Sequence, residues 1–271
     1  MSTPLTDSLK STTPMSVRSA VGLESKLFCF AEAASMVVSL GVVAVLDSLI
    51  PKEIMHHATD VVAKTCIEPF QDTIEKGMRK FVKLDEFKVD ESKTKQERAQ
   101  IYAHTLMVFG GAWLLSWGAK LATRDFLNRR NGIVPPKNNN LPAGHTYLEA
   151  VAHKVNPKNW NKEDLLIMAA DEGIHYGAIG CMALNQTLAS FTDDNIKSMT
   201  NLFEKIGVPP KKAKELANYA VIYEASNLLG MASGIVVIAG KHAYLPSTGK
   251  FHGWKDIWSG VAKSEHVIGS H

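Results

Sequence analysis

The chain has 271 residues, of which 45% are hydrophobic and 21% charged, and its formal net charge is +3. So small a positive charge does not favour nucleic-acid binding, and we expect no nucleic-acid partner. Its three cysteines, Cys29, Cys66 and Cys181, form no C-x-x-C pair, which argues against a zinc or redox site built on cysteine. The mean hydropathy of −0.05 hides an uneven distribution, because the charges lie mainly between four apolar stretches.

Residues 1–26 are rich in serine, threonine and proline and contain no apolar core segment. That composition argues against a secretory signal peptide. We expect a flexible polar tail in this region.

The four apolar stretches cover residues 27–50, 101–122, 165–189 and 216–240. Each is long enough to cross a bilayer, since about 20 apolar residues in a helix span the hydrocarbon. The sequence therefore predicts an all-α, multi-pass helical membrane protein with four long transmembrane helices. A soluble helical bundle is the alternative.

Connections of different character divide the chain. The first helical pair would occupy residues 27–133 and include an amphipathic segment at 53–83. The second pair would occupy 162–241, after an irregular, proline-rich connection at 134–161. Residues 242–271 form an aromatic and basic tail suited to a membrane interface or a docking surface. Positive residues in the 134–161 connection and in this tail predict that both face the cytoplasm or matrix, with the particular membrane left open.

Small residues recur every four positions in the third and fourth stretches. Gly173 and Gly177 lie on one row, and Gly230 and Gly234 on another. Such rows allow close helix packing in lipid. The second stretch ends with tryptophans followed by Lys120 and Arg124, which predicts an aromatic and basic exit from the bilayer.

Polar residues within the apolar stretches predict an intramembrane cluster. A rise of about 1.5 Å per residue places His175 and Glu224 within roughly 6 Å of each other in depth. The predicted cluster comprises Glu32, Glu172, His175, Glu224 and Asn227. Asp171 is not expected to share a site with Glu172, because neighbouring residues on a helix point about 100° apart.

Two chemical interpretations of this cluster remain open. Glu172 and His175 form an E-x-x-H pair that, together with Glu224, would suit a divalent metal. The sequence otherwise identifies no cofactor. Alternatively, the same side chains bond one another and join the helices.

We expect a non-enzymatic integral membrane protein that serves as a structural or assembly subunit of a larger membrane complex. Its partners would be the lipid bilayer and other membrane subunits or further copies of itself. A transporter or channel for a small cation, proton or metal, centred on the Glu/His cluster, is the alternative. A membrane-bound metalloenzyme is a further one.

Overall fold

The computed structural model describes residues 15–49, 52–133 and 146–267. These residues are mostly helical, which confirms the all-α prediction. The α-helices are α1 (Val17–Leu49), α2 (Lys52–Val62), α3 (Gln71–Phe81), α4 (Lys95–Arg130), α5 (Tyr147–Val155), α6 (Lys162–Leu184), α7 (Gln186–Lys205), α8 (Pro210–Asn218), α9 (Ala225–Ala243) and α10 (Trp254–Ser259). A π-helical turn, Tyr219–Glu224, joins α8 to α9 in one continuous helix.

The long helices α1, α4, α6 and α9 form an antiparallel bundle. Helix α1 packs along α4 and α9, and α6 packs along α9. In the part of the chain that the structure describes, α4 and α6 have no extended backbone contact. We call the end of the bundle that holds the start of α1, α5 and α10 the basal end, and the opposite end, which holds α2, α3, α7 and α8, the distal end.

Local sequence signals explain where these helices begin and end. Thr94 and Glu97 form a capping box at the start of α4, and Asn161 and Asp164 form one at the start of α6. Asn185 accepts hydrogen bonds from the first backbone amides of α7, satisfying donors that a helix start leaves open. The predicted third stretch, 165–189, is therefore two helices, divided at Asn185.

Among the described residues, two helical segments rather than the predicted four are long and apolar enough to span a membrane: Val17–Val45 and Pro210–Ala243. Polar residues weaken the other two. His104, two tryptophans and a glycine pair interrupt the apolar part of α4, and Asp171, Glu172 and His175 interrupt α6. Of the four predicted transmembrane helices, the first and the fourth therefore meet this criterion, and α4 and α6 do not.

The connecting segments contain more structure than the sequence predicted. Helix α1 begins at Val17, inside the predicted polar tail, of which residues 1–14 lie outside the described residues. Helix α5 lies within the predicted irregular connection, whose residues 134–145 also lie outside them. The amphipathic 53–83 region forms α2 and α3, joined by π-helical and 3-10 turns at Ala63–Ile67 and Glu68–Phe70.

The C-terminal segment is tied to the basal end of the bundle. It contains a hairpin of β1 (Tyr244–Leu245) and β2 (Lys250–Phe251), followed by α10. Backbone bridges join Ser16 to Lys263 and Ile133 to Val267. The start of α1, the end of α4 and the basic C-terminal segment therefore lie together at one end.

The bundle packs many polar residues inward and apolar residues outward. On α1 the buried row includes Glu24, Glu32, Ser35 and Ser39, whereas Val37 is 72% exposed. Other outward apolar residues are Phe30 on α1, Leu165, Leu166 and Ile174 on α6, and Leu228, Leu229 and Val236 on α9. Large contiguous apolar patches are rare on the surfaces of soluble monomers.

Candidate functional site

The centre of the bundle is organised around Lys120 of α4, which is 1% exposed. Its Nζ atom lies 2.7 Å from Glu32 Oε2 of α1 and 2.8 Å from Asp171 Oδ2 of α6. The same ammonium lies 4.0 Å from the centre of the Trp117 ring, a distance at which a cation is attracted to the ring face. One lysine thus joins three helices.

Two of the predicted cluster residues bond each other directly. Asn227 Nδ2 of α9 donates a hydrogen bond of 2.6 Å to Glu32 Oε1. Because Glu32 also binds Lys120 through its second oxygen, α1, α4 and α9 meet at one buried carboxylate.

Glu172 turns from α6 toward α4. Its Oε1 atom accepts hydrogen bonds from the indole nitrogens of Trp113, at 2.6 Å, and Trp117. Its Oε2 atom is buried and has no hydrogen-bond partner among the described residues. A buried carboxylate oxygen without a partner is costly unless a ligand or a proton compensates it.

Glu224 and His175 complete the set, each bonded to a different serine. Ser39 of α1 donates a hydrogen bond to Glu224 Oε1, and the second oxygen of Glu224 is also buried without a partner in the described part of the chain. His175 Nδ1 lies 3.2 Å from Ser226 Oγ. Glu224 and His175 are thus each held by a serine rather than by another member of the predicted cluster.

Next to Glu224, the π-helical turn brings an aromatic group toward α4. The rings of Tyr219 and Tyr223 stack with their centres 5.4 Å apart, and Phe109 lies 5.0 Å from each of them. Such turns within α-helices are frequent at functional sites. The turn therefore places aromatic faces next to the buried carboxylate of Glu224.

A cavity of about 880 Å³ lies between α4 and the α6 and α9 side of the bundle. Its lining runs along α4 from Arg98 to Lys120, roughly 33 Å at the helical rise of about 1.5 Å per residue. Glu172, His175, Glu224 and Asn227 all line it. These four residues therefore line the basal end of the cavity, whose distal end lies near residues 85–90.

The distal mouth of this cavity also carries charges. Asp85 and Lys88 line it and form an ion pair of 2.6 Å. The hydrogen bond from the Lys88 ammonium holds the pKa of Asp85 below its ordinary value, so the carboxyl stays ionised down to lower pH. The mouth is consequently a hydrated, charged surface.

The three candidate metal ligands do not come together in the structure. Glu172 binds tryptophans, His175 approaches Ser226, and Glu224 binds Ser39. No group of three histidine, cysteine, aspartate or glutamate side chains among the described residues is arranged to hold a metal ion. The E-x-x-H spacing alone therefore does not assemble a metal centre.

The four predicted packing glycines divide into two pairs. A Cβ atom on Gly230 would lie 2.6 Å from the backbone oxygen of Asp171, and one on Gly234 would lie 2.7 Å from the Phe28 ring. Both positions thus permit close helix contacts. Gly173 and Gly177 instead are exposed, with nothing within 4 Å of an added Cβ, so no described residue packs closely against them.

A second buried charged layer lies at the basal end. Glu24 of α1 contacts His242 at 2.7 Å and Lys241 at 3.0 Å. Arg124 contacts Glu163 at 2.8 Å, and Lys154 of α5 contacts Asp164 at 2.6 Å. This layer fastens all four long helices and α5, and it was not predicted from the sequence.

Lys120 and Arg124 correct another sequence expectation. Both were assigned to an aromatic and basic exit from the bilayer, yet both are fully buried and paired with acids. Asp171 also joins the group of charged residues around Lys120, although it points away from Glu172 on their own helix.

Comparison with protein-family models, curated proteins and solved structures found no match to this chain.

Proposed function

We propose that the chain is a non-enzymatic integral membrane protein whose bundle binds a small cation in the cavity between α4 and α6. The observation that carries the proposal is the coexistence of outward apolar rows with an inward cluster of ionisable side chains. Ionisable residues within membrane-spanning helices face the bundle interior or a water-filled cavity and mark ion or substrate pathways.

The outward faces favour lipid over water. The core helix of a soluble protein is mostly buried, whereas only 33% of the most apolar window in Val17–Val45 and 28% of that in Pro210–Ala243 are buried. Helices α4 and α6 would insert against these two, since their acids and Lys120 neutralise one another within the bundle. Interhelical pairing of this kind lowers the cost of placing charges in hydrocarbon.

The cation-binding role follows from the balance of charges in the central cluster. In the described part of the bundle, Glu32, Asp171, Glu172 and Glu224 surround one fully buried cation, Lys120. Lys120 contacts the first two, which leaves Glu172 and Glu224 without a cationic partner among the described contacts. A proton or a bound cation would compensate the remaining negative charge.

Cysteine accessibility tests the membrane placement. In a background without the native cysteines, Val37→Cys and Val236→Cys would each be labelled in intact membranes with a membrane-impermeant maleimide. We expect no labelling at either position, because lipid would cover both, and rapid labelling of the control Lys197→Cys on α7 once the membranes are permeabilised. Labelling of all three at similar rates, together with release of the protein by alkaline carbonate, would refute the membrane proposal.

Tryptophan fluorescence tests the cation site, because Trp113 and Trp117 contact Glu172 directly. We expect added sodium, potassium, calcium or an organic cation to change the emission of purified protein in a saturable way. The change should disappear in Glu172→Gln and persist in Glu204→Gln, an exposed control on α7. Identical responses in the two variants would contradict cation binding at the cluster.

A second function, as a subunit of a larger membrane complex, is favoured by the outer face of α6. Ala169, Gly173, Gly177 and Cys181 are exposed on that helix at intervals of four, and the two glycines have open space beside them. Such a row allows another transmembrane helix to approach closely. We expect Gly173→Leu/Gly177→Leu to abolish oxidative cross-linking through Cys181 in membranes while leaving the thermal stability of the detergent-purified chain unchanged. Unaltered cross-linking, or none in the parent chain, would count against this function.

A further inference from the structure

We propose that the cation bound in the α4/α6 cavity is a monovalent organic cation that carries apolar or aromatic groups. This inference rests on the cation-binding function proposed above and names the class of ligand. It combines two observations: buried carboxylate oxygens without partners, and aromatic rings that line the same cavity.

The charged part of such a ligand would be recognised by Glu172 and Glu224. Each side chain is 8% exposed, lines the cavity and has one oxygen held by neutral donors. The other oxygen of each has no hydrogen-bond partner among the described residues. Two fixed acceptors are thus available to a cation that enters from the distal mouth.

The apolar part would be recognised by aromatic rings. Those that line the cavity include Phe109, Trp113, Trp117, Tyr176, Tyr219 and Tyr223. Aromatic faces attract desolvated organic cations, and aromatic cages are a recurrent means of binding quaternary ammonium groups. Lys120, whose ammonium lies 4.0 Å from the centre of the Trp117 ring, already forms one such contact within the protein.

The same geometry disfavours an inorganic divalent ion. Calcium takes six to eight oxygen ligands, and magnesium requires near-octahedral oxygen geometry. The described residues contain no group of three acidic, histidine or cysteine side chains arranged around one point. An organic cation has no tightly held hydration shell to replace and needs fewer charged ligands.

The dimensions of the cavity also fit this class of ligand. Sites for small molecules usually enclose about 300–1,000 Å³ and are mostly apolar with a few polar groups. The cavity has a volume of about 880 Å³. It therefore has room for a cation with several rings, which a site for a single metal ion would not need.

Tetraphenylphosphonium, a monovalent cation with four aromatic rings, is the probe that tests the inference. Equilibrium dialysis of radiolabelled probe against the detergent-purified full chain should give saturable binding at one site. We expect Glu172→Gln to weaken that binding about tenfold or more, because a buried charge partner is lost. Glu204→Gln should bind as the parent chain does. Circular dichroism and size-exclusion chromatography would establish that each variant is folded.

Two further measurements separate the possible outcomes. Triphenylphosphine oxide, a neutral aromatic analogue, should not compete with the probe. Equal competition by this compound, or equal binding to Glu172→Gln and the parent chain, would show apolar partitioning and overturn the inference. If the probe does not bind but sodium or calcium still changes tryptophan emission through Glu172, the organic-cation inference fails and the cation-binding function stands. If no cation has an effect, both fail.

Discussion

Replacing Lys120 by methionine tests whether the central cluster holds the bundle together. The side chain makes ion pairs of 2.7 and 2.8 Å with Glu32 and Asp171, which are 1% and 0% exposed. Lys120→Met keeps the length and apolar stem of the side chain but removes the charge that both carboxylates share. The variant therefore isolates the electrostatic contribution of Lys120 from its packing.

The expected loss of stability follows from the burial of these partners. Breaking a buried ion pair by removing one member costs about 3–5 kcal/mol, because the other charge is left uncompensated. Two carboxylates lose their cation here, although protonation of one of them limits the total. At about 2–4 °C per kcal/mol for a chain of this size, the unfolding midpoint should fall by on the order of 10 °C.

The assay is thermal unfolding of detergent-purified protein, followed by size-exclusion chromatography with fluorescence detection. Lys26→Met on α1 is the matched control, because Lys26 is exposed and such substitutions usually change stability by about 0.5 kcal/mol or less. The triple variant Lys120→Met/Glu32→Gln/Asp171→Asn removes the uncompensated charges and should recover much of the lost stability. A Lys120→Met midpoint equal to that of Lys26→Met, or a triple variant less stable than the single one, would refute the reasoning.

Two further predictions concern helix packing and the distal end. Gly230→Ala should destabilise the bundle by about 1–3 kcal/mol, since overpacking forces backbone shifts and the new Cβ would lie 2.6 Å from the backbone oxygen of Asp171. Gly177 has open space around it, so Gly177→Ala should be neutral or slightly stabilising. Equal unfolding midpoints for the two variants would contradict the packing at Gly230. Glu75 accepts two hydrogen bonds of 2.8 Å from Arg98, which lower its pKa from 4.5 to about 2. A carboxyl whose pKa is depressed on folding stabilises the folded state above its ordinary pKa, and that stabilisation is lost as the pH falls. The difference in unfolding midpoint between the parent chain and Glu75→Gln should therefore be largest near neutral pH and should shrink to zero as the pH falls from 4.5 to about 2. A difference that does not depend on pH would count against the ion pair.

Several features of the site follow from helical geometry alone. The rise per residue brings His175, Glu224 and Asn227 to similar depths, and all three line one cavity in the structure. The row at Gly230 and Gly234 likewise lies at close contacts. Depth along an axis depends only on residue number, so one sequence can specify it.

The rotation of each helix about its own axis, in contrast, could not be predicted from the sequence of that helix. Lys120 follows tryptophans near the end of an apolar stretch, a pattern that also predicts a side chain reaching toward a membrane surface. It points inward because α1 and α6 present Glu32 and Asp171 at that level. The sequence of α4 contains no information about those partners, and the same holds for Arg124 in the basal layer.

The angle between Asp171 and Glu172 shows why a site cannot be judged on one helix. Their side chains point about 100° apart, which suggested that they could not share a site. Helix α4, however, presents Lys120 to one of them and two indole nitrogens to the other. A facing helix with long side chains covers a wide arc, so adjacent residues reach one cluster through different partners.

The gap between α4 and α6 forms the cavity in which we propose that a cation binds. A bundle built only for stability would close this side, since close packing adds favourable contacts and removes the cavity. Here α4 and α6 are joined across the gap by Lys120 with Asp171 and by the tryptophans with Glu172, and the cavity continues from there to the distal end. Those bridging contacts are made by side chains, whereas close backbone packing holds α1 against α4 and α9. A cation bound to the second oxygen of Glu172 would therefore lie directly beside the bridge between α4 and α6.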